Sequence, residues 1–467
     1  MTITLLGVVT VLGTFLAAFF LFGITVFVHE LGHFLAAKRK GLVIEKFAIG
    51  FGPKAWGWKK DGVEYVINWL PFGGFVQLPQ MAAMEMVEGK SELAAKALPV
   101  ASPWAKIVTA FWGPMFSFFL ALLLAFVVYW VGTPQNQSFL TTTVGYVEPE
   151  SPAAKAGILP GDEIVSVNDR KVTRWAGRAG GVVEAIILSI GKEVVLDVKR
   201  GDQTLRFSIP PVRDPEIENL RSLGFEKYQM QPLIVEQVLE NSPAARAGLQ
   251  AGDRVLTVNG SKAYNAAHFK SLMSSEDSPS FITFQRNDQT LEVQVAPEQA
   301  VNVDRKLIGV IWDYDQVAIV HIDPLTQISN SATFIFRTLR AVTSHQSDVG
   351  VRHLSGPVGI FDKLMVLLTT DPRLVLYFTV ILNVNLAIVN LLPIPILDGG
   401  HILLSALEAV RRRPLEDKWL SGIQTSFFVL LIGLFVFITY FDVGRVAKRV
   451  TQKKPQAMEM PQFAKPN

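Results

Sequence analysis

The chain has 467 residues, 49% of them hydrophobic and 18% charged, with a mean hydropathy of +0.31. That balance excludes an ordinary soluble protein, and a net charge of only +3 excludes the basic footprint of a nucleic-acid binder, so no nucleic-acid partner is expected. There are no cysteines, hence no disulfides and no thiolate metal ligands.

Met1–Val28 contains no charged side chain, and three further uncharged runs follow at Ile107–Gly132, Leu374–Leu397 and Trp419–Phe441. Each reaches the roughly 20 residues that a helix needs to cross a bilayer. The fold class expected is therefore a polytopic α-helical membrane protein with four transmembrane helices, and the lipid bilayer is its first partner. The first run is too long for a signal peptide and lacks a basic start and a small-residue cleavage site, so it reads as a retained span. Lys38, Arg39 and Lys40 follow span one, and Arg411, Arg412, Arg413 and Lys418 lie between spans three and four. Both loops are expected to be cytoplasmic, with both chain ends and the large middle region outside. The tail, with Arg445, Lys448, Arg449, Lys453 and Lys454, is also basic. The two internal loops take precedence because they sit between spans and agree.

Span one leads into His29-Glu30-x-x-His33. Residues four apart share a helix face, so both imidazoles can reach one Zn²⁺, with Glu30 beside them to handle the proton of its water. A third ligand is needed. The metzincin pattern fails, because Ala36 and Arg39 stand where it requires Gly and His.

Val63–Leu78 alternates polar and apolar residues about Pro71–Gly74 and reads as a membrane-associated β-hairpin whose edge could pair with an extended peptide. Between spans two and three lies an internal repeat. "SPAAKAGILPGDEIVSVNDRKV" begins at Ser151 and "SPAARAGLQAGDRVLTVNGSKA" at Ser242, an offset of 242 − 151 = 91 residues. Each copy reads as a short helix, a Gly stop, a Gly-Asp turn and a strand. The pattern resembles the PDZ domain, with Leu223-Gly224-Phe225 and Ile308-Gly309-Val310 similar to its peptide-carboxylate loop. That resemblance implies grooves able to take peptide C-termini; steric spacers with empty grooves are the alternative. Residues 322–361 form a linker whose "ATFIFRTLRAV" is helical and amphipathic.

Span three ends in "NLLPIPILDGGH", Asn390 to His401. Pro393 and Pro395 loosen the helix before Asp398. Asp398 is a candidate third ligand, although "LDGG" fits a solvated turn equally well, and His401 is a rival.

HExxH after span one, combined with N-x-x-P-x-P-x-L-D-G after span three, resembles the site-2 protease family of intramembrane zinc peptidases. "IGFGP", "GGFVQL" and "LSGPVGI" match as well, so the likeness covers nearly the whole chain. It implies a zinc metalloendopeptidase that cleaves the transmembrane segment of single-span membrane proteins already shortened by another protease, of the anti-sigma factor type, with remnant signal peptides as a further substrate class. By position, it makes His29, His33 and Asp398 the ligands of Zn²⁺ and Glu30 the catalytic residue, with Asn390 and Asn385 binding substrate. It further implies a bacterial inner-membrane location, with the active site toward the cytoplasm and two tandem PDZ domains in the periplasm. One departure stands out: Ser117 follows Gly113 and Pro114 where the family has asparagine.

The expected organisation is residues 1–134 for the N-terminal membrane part, 135–229 and 230–318 for the two PDZ domains, 319–373 for the linker and 374–467 for the C-terminal membrane part. Two rival functions remain at this point. A membrane-anchored PDZ scaffold would carry a vestigial metal site, and a transporter would use His29, Glu30 and Asp398 as an ion path.

Overall fold

The computed structural model describes residues 5–81, 98–177, 180–229, 233–273, 278–313, 317–413, 417–452 and 460–464. They divide into two compact units, one of Met1–Thr133, Val320–Ile335 and Leu354–Val446, the other of Pro134–Ile319, Phe336–His353 and Ala447–Asn467.

The first unit is built from helices α1 (Leu5–Lys40), α2 (Pro103–Val131), α3 (Pro357–Thr370), α4 (Pro372–Asn390), α5 (Asp398–Arg411) and most of α6 (Asp417–Gln452). Among the described residues, four stretches are long and apolar enough to cross a membrane: Gly13–Lys40, Pro103–Val131, Pro372–Asn390 and Gly422–Arg449. One expected boundary is corrected, at span three. Helix α1 carries the histidines beyond the uncharged run, as their shared helix face requires, and continues to Lys40. Its last turn carries Lys38, Arg39 and Lys40, where positive charge complements the helix dipole. Span three ends at Asn390, seven residues before Leu397. Pro393 and Pro395 cannot donate the amide bonds a helix needs, so residues 391–397 leave it and Asp398 opens the new helix α5.

Helix α2 presents Gly113, Ser117, Ala121 and Ala125 at four-residue spacing, all buried. Small residues let helix backbones approach closely. A Cβ at Gly32 on α1 would overlap the Trp112 carbonyl of α2, and Ala121 and Ala125 pack against Tyr377, Val380 and Val384 of α4. The opposite side of α2 leaves Leu123, Phe126 and Trp130 exposed, an apolar face suited to lipid. Helix α6 is anchored at Asp442, which is fully buried and accepts from the amides of Gly356 and Gly359 at 3.0 and 2.8 Å, at the N-terminus of α3.

Strands β1 (Lys46–Lys60) and β2 (Val63–Gln77) form one antiparallel ribbon. The hairpin expected within Val63–Leu78 is instead its second strand. The turn is Asp61-Gly62, with φ of 51° and 83°, the two positive values of a type I′ turn. Near Pro71–Gly74, β2 doubles back. Glu64–Ile67 therefore pairs with one edge of Lys46–Ile49, and Gly74–Gln77 pairs with the other. Phe34 and Ala37 of α1 share a buried core with Phe47, Val63 and Val76 of the ribbon.

The second unit holds the two repeats. The first has a four-stranded sheet in the order Arg170–Lys171, Glu163–Val167, Val194–Arg200, Gln203–Ile209. In the second, Gln289–Val295, Ser280–Arg286, Arg254–Val258, Leu233–Val238 and Val310–Trp312 lie side by side. The repeated motif has a physical reading. Ser151 and Ser242 accept from the amides of Ala154 and Ala245, both at 3.1 Å, as N-caps, and the next residue is proline at the first helical position. The motif aspartates, Asp162 and Asp253, are 1% exposed and each takes a forked pair of bonds from an arginine, Arg200 or Arg286.

Candidate metal centre

The Nε2 atoms of His29 and His33 lie 3.3 Å apart on one face of α1. Asp398 places Oδ2 3.2 Å from the first and Oδ1 3.3 Å from the second. One donor atom from each of the three residues falls within 4.8 Å of the others.

The tautomers follow from the second contact of each ring. His33 Nδ1 is 2.8 Å from the Thr109 carbonyl oxygen, which can only accept. The proton therefore sits on Nδ1, and Nε2 offers a lone pair. Pro114 helps, because it has no amide hydrogen for Ala110 and loosens this stretch of α2. His29 Nδ1 is 3.0 Å from Ser117 Oγ, and its Nε2 is 3.2 Å from Asn390 Nδ2, a donor. Among the described residues the buried Asp398 Oδ2 accepts no well-directed hydrogen bond. Two imidazole nitrogens and a carboxylate thus converge in a buried place, an arrangement that a bound cation would satisfy. That donor set, with each ring held by a further contact, fits a catalytic zinc site.

The tertiary structure also supplies the supports. A Cβ on Gly113 would overlap the His33 ring, so only glycine lets α2 pass there. Cβ atoms on Gly399 and Gly400 would overlap the carbonyls of residues 391, 392 and 394, so "LDGG" is what lets the loop fold onto the start of α5. The partly buried pair Lys106–Glu408, 2.9 Å apart, fastens α5 to α2 and with it Asp398. The carboxylate also lies in the first turn of α5, the favourable end of the helix dipole.

Glu30 is buried next to His29 and outside the donor group. Its Cγ lies 3.1 Å from where a Cβ on Gly74 would stand, so the returning edge of the ribbon runs beside it. Asn390 is brought to His29, but Asn385 is not aligned with it. Five residues correspond to about 140° around a helix, and Asn385 Oδ1 is buried without a hydrogen-bond partner among the described residues. Asn383, seven residues before Asn390, shares its face and donates to Thr25 Oγ1 at 3.3 Å and to the Thr379 carbonyl at 2.9 Å. His401 lies outside the donor group. Sequence reasoning missed Asn383 and the Thr109 carbonyl, and met Gly113 and Ser117 only through the family motif and the departure from it. The four-residue spacing of Gly113, Ser117, Ala121 and Ala125 was the available signal.

The model of peptidase family M50 matches residues 17–434. A protein described as a putative zinc metalloprotease from Vibrio cholerae is 30% identical over 444 residues, covering 87% of this chain and 93% of the relative. The regulator of sigma-E protease RseP of Escherichia coli K12 is 30% identical over 446 residues, covering 89% and 95%. Among solved structures, the PDZ domain of the SdrC-like protein of Listeria monocytogenes matches 19% of this chain and 93% of that one at 18% identity, with a TM-score of 0.17, too slight a likeness to define a fold. The chain belongs to peptidase family M50, the site-2 protease family. It is accordingly a zinc metallopeptidase, carried by helices apolar enough for a membrane.

Proposed function

We propose that the enzyme cleaves the transmembrane segment of single-span membrane proteins already trimmed outside the bilayer, of the anti-sigma factor type. The relatives named as regulators of sigma-E support that class. The observation that carries the reading is the site's setting: His29, His33 and Asp398 converge within helices that have the length and apolarity of membrane spans. An intact donor group speaks against a scaffold with a vestigial site.

When bound by His29, His33 and Asp398, zinc supplies Lewis acidity and a water acidic enough to lose its proton near neutral pH. Glu30 takes that proton and delivers it to the leaving amine. Ser117 and the Thr109 carbonyl hold the rings, so that both Nε2 atoms stay turned inward. Asn390 directs its amide at the same point and serves to orient the substrate backbone. A helix hides its peptide bonds, so the substrate must be drawn out as a strand. Gly74–Gln77, the ribbon segment that runs beside Glu30, is the strand it joins. A cavity of about 620 Å³ lined by Phe34, Lys38, Glu45, Lys46, Lys59 and Glu64 is the route for water from the cytoplasmic side.

The two repeats act as periplasmic PDZ-type domains, tethered at both ends to spans, and exclude substrates whose external domain is still attached. The test is cleavage of one single-span protein with and without its external domain, by the intact enzyme and by a form whose repeats are replaced with a topology-preserving linker. The intact enzyme should cut only the trimmed substrate, and the deletion form both. A deletion form that cuts the stub yet rejects the untrimmed protein overturns the filter. No cleavage of the stub by the intact, zinc-loaded enzyme overturns the proteolytic reading for that substrate class.

A further inference from the structure

The segment Met460–Ala464, far from the metal centre in sequence, carries one buried residue among exposed neighbours. Phe463 is 8% exposed, while Met460 is 54% exposed and Gln462 and Ala464 are also open. The Phe463 side chain packs with Leu239 and Ala300 of the second repeat, flanked by Val303, Leu307 and Ile311. The backbone is bonded as well. Val301 donates to the Gln462 carbonyl at 2.7 Å. Asn302 closes the contact from both sides, accepting from the Gln462 amide at 2.8 Å and donating to the Met460 carbonyl at 3.1 Å. The ring edge stands 2.9 Å from where a Cβ on Gly309 would lie, and Gly309 has a φ of +80°, so no other residue would suit that position.

The first repeat supplies a control within the same chain. Glu148 and Leu239 occupy equivalent places, 91 residues apart, and donate their amides to the carbonyls of Gly224 and Gly309, each at 2.9 Å. In the first repeat a Cβ on Gly224 would meet the Glu148 carboxylate at 3.2 Å, where the second repeat has the Phe463 ring. The hairpins preceding these glycines differ accordingly. That of the first repeat, Val212–Asp214 with Leu220–Ser222, holds residues 346–348 by charge through Arg213 and Arg221. That of the second, Glu298–Gln299 with Lys306–Leu307, holds the tail by an aromatic anchor and main-chain bonds. The same scaffold has been given two different ligand chemistries.

We propose that the second repeat carries a binding pocket for an extended peptide with an aromatic anchor, and that its resident occupant is this chain's own segment Met460–Ala464. Pro461 presets an extended backbone and lowers the ordering cost. Only seven residues, 453–459, separate the tail from the end of α6 at Gln452. So short a tether gives an effective concentration on the order of millimolar, so even a weak contact stays filled. A chain of that length reaches about 28 Å at most, so a docked tail also limits the travel of the repeat from Gln452. This inference is independent of the proteolytic reading.

The absence of native cysteines makes the test clean. The full-length protein is prepared with Leu239→Cys and Phe463→Cys, and a protease site is inserted between Gln452 and Met460. After oxidation and cleavage, the tail should stay attached until reduced, whereas either single-cysteine form should lose it. In a second arm, a labelled peptide of residues 460–467 is titrated onto the protein truncated after Gln452. It should bind at least roughly tenfold more tightly than to the intact chain, and a peptide with Phe463→Ala should lose about tenfold or more. Leu239→Glu, which imports the first repeat's residue, should remove binding while the melting temperature of the protein stays close to its parent's. Absence of the disulfide, or equal peptide binding by intact and truncated chains, overturns the proposal.

Discussion

Ser117 Oγ sits 3.0 Å from His29 Nδ1 across the contact between α1 and α2. This serine, at the place where the family resemblance implies an asparagine, contacts the ring proposed to hold zinc. Its hydroxyl supplies a polar partner on a side chain small enough for the Gly113, Ser117, Ala121, Ala125 stripe along which the helices pack. Ser117→Ala should weaken zinc about 10–100-fold, the usual scale for losing such a supporting contact. Ser117→Thr, which keeps the hydroxyl, should lose less. Zinc titration against a competing chelator checks both, and unchanged affinity in Ser117→Ala would show that the contact is incidental.

Glu30 lies outside the donor group, and Asp398 lies within it. The two carboxylates should therefore fail differently. Glu30→Gln should lower turnover about 10²–10⁴-fold, the contribution of a general base, with zinc retained. Asp398→Ala should lose zinc itself. Metal content and single-turnover cleavage measured on the same preparations separate the two, and full zinc occupancy in Asp398→Ala would remove it from the ligand set.

A methyl group added at Gly113 has nowhere to go, because it meets the His33 ring directly. Overpacking of this kind costs about 1–3 kcal/mol. Gly113→Ala should thus both lower the thermal midpoint and reduce zinc binding. The same change at Gly23, where a Cβ would meet nothing within 4 Å, should do neither.

Asp348 lets the first repeat be tested by pH. Burial would raise its carboxyl, but hydrogen bonds from Arg221 and Arg213 outweigh that and hold it below the usual carboxylate range. A depressed folded-state pKa stabilises the fold above the unfolded value, about 3.9, and that stabilisation is lost as pH falls through the folded value. Asp348→Asn should therefore melt below wild type at pH 6, and the gap should narrow as pH falls below about 3.9. A constant gap would assign the effect to packing. Because Arg213 is largely exposed, the effect should rest mainly on Arg221, which is 6% exposed.

Much of this protein was legible along the chain. Apolar length marked four spans, and i,i+4 spacing put His29 and His33 on one face, since helix geometry is local. The SPAA and GD motifs announced caps and turns for the same reason. Span ends were less legible: the apolar run continues past Asn390 although the helix does not, because hydropathy does not register a missing amide donor. The ribbon turn at Asp61-Gly62 was present in the sequence but hidden by the more conspicuous Pro71–Gly74. Only the tertiary structure decided what lies far apart in the chain. His29 and Asp398 are 398 − 29 = 369 residues distant, Ser117 finds His29 through helix packing, and Phe463 packs on Leu239 and Ala300 of the second repeat. Contacts at such separations depend on which backbones can approach, and here that is set by single glycines and small side chains whose importance appears only once the neighbouring helix is in place.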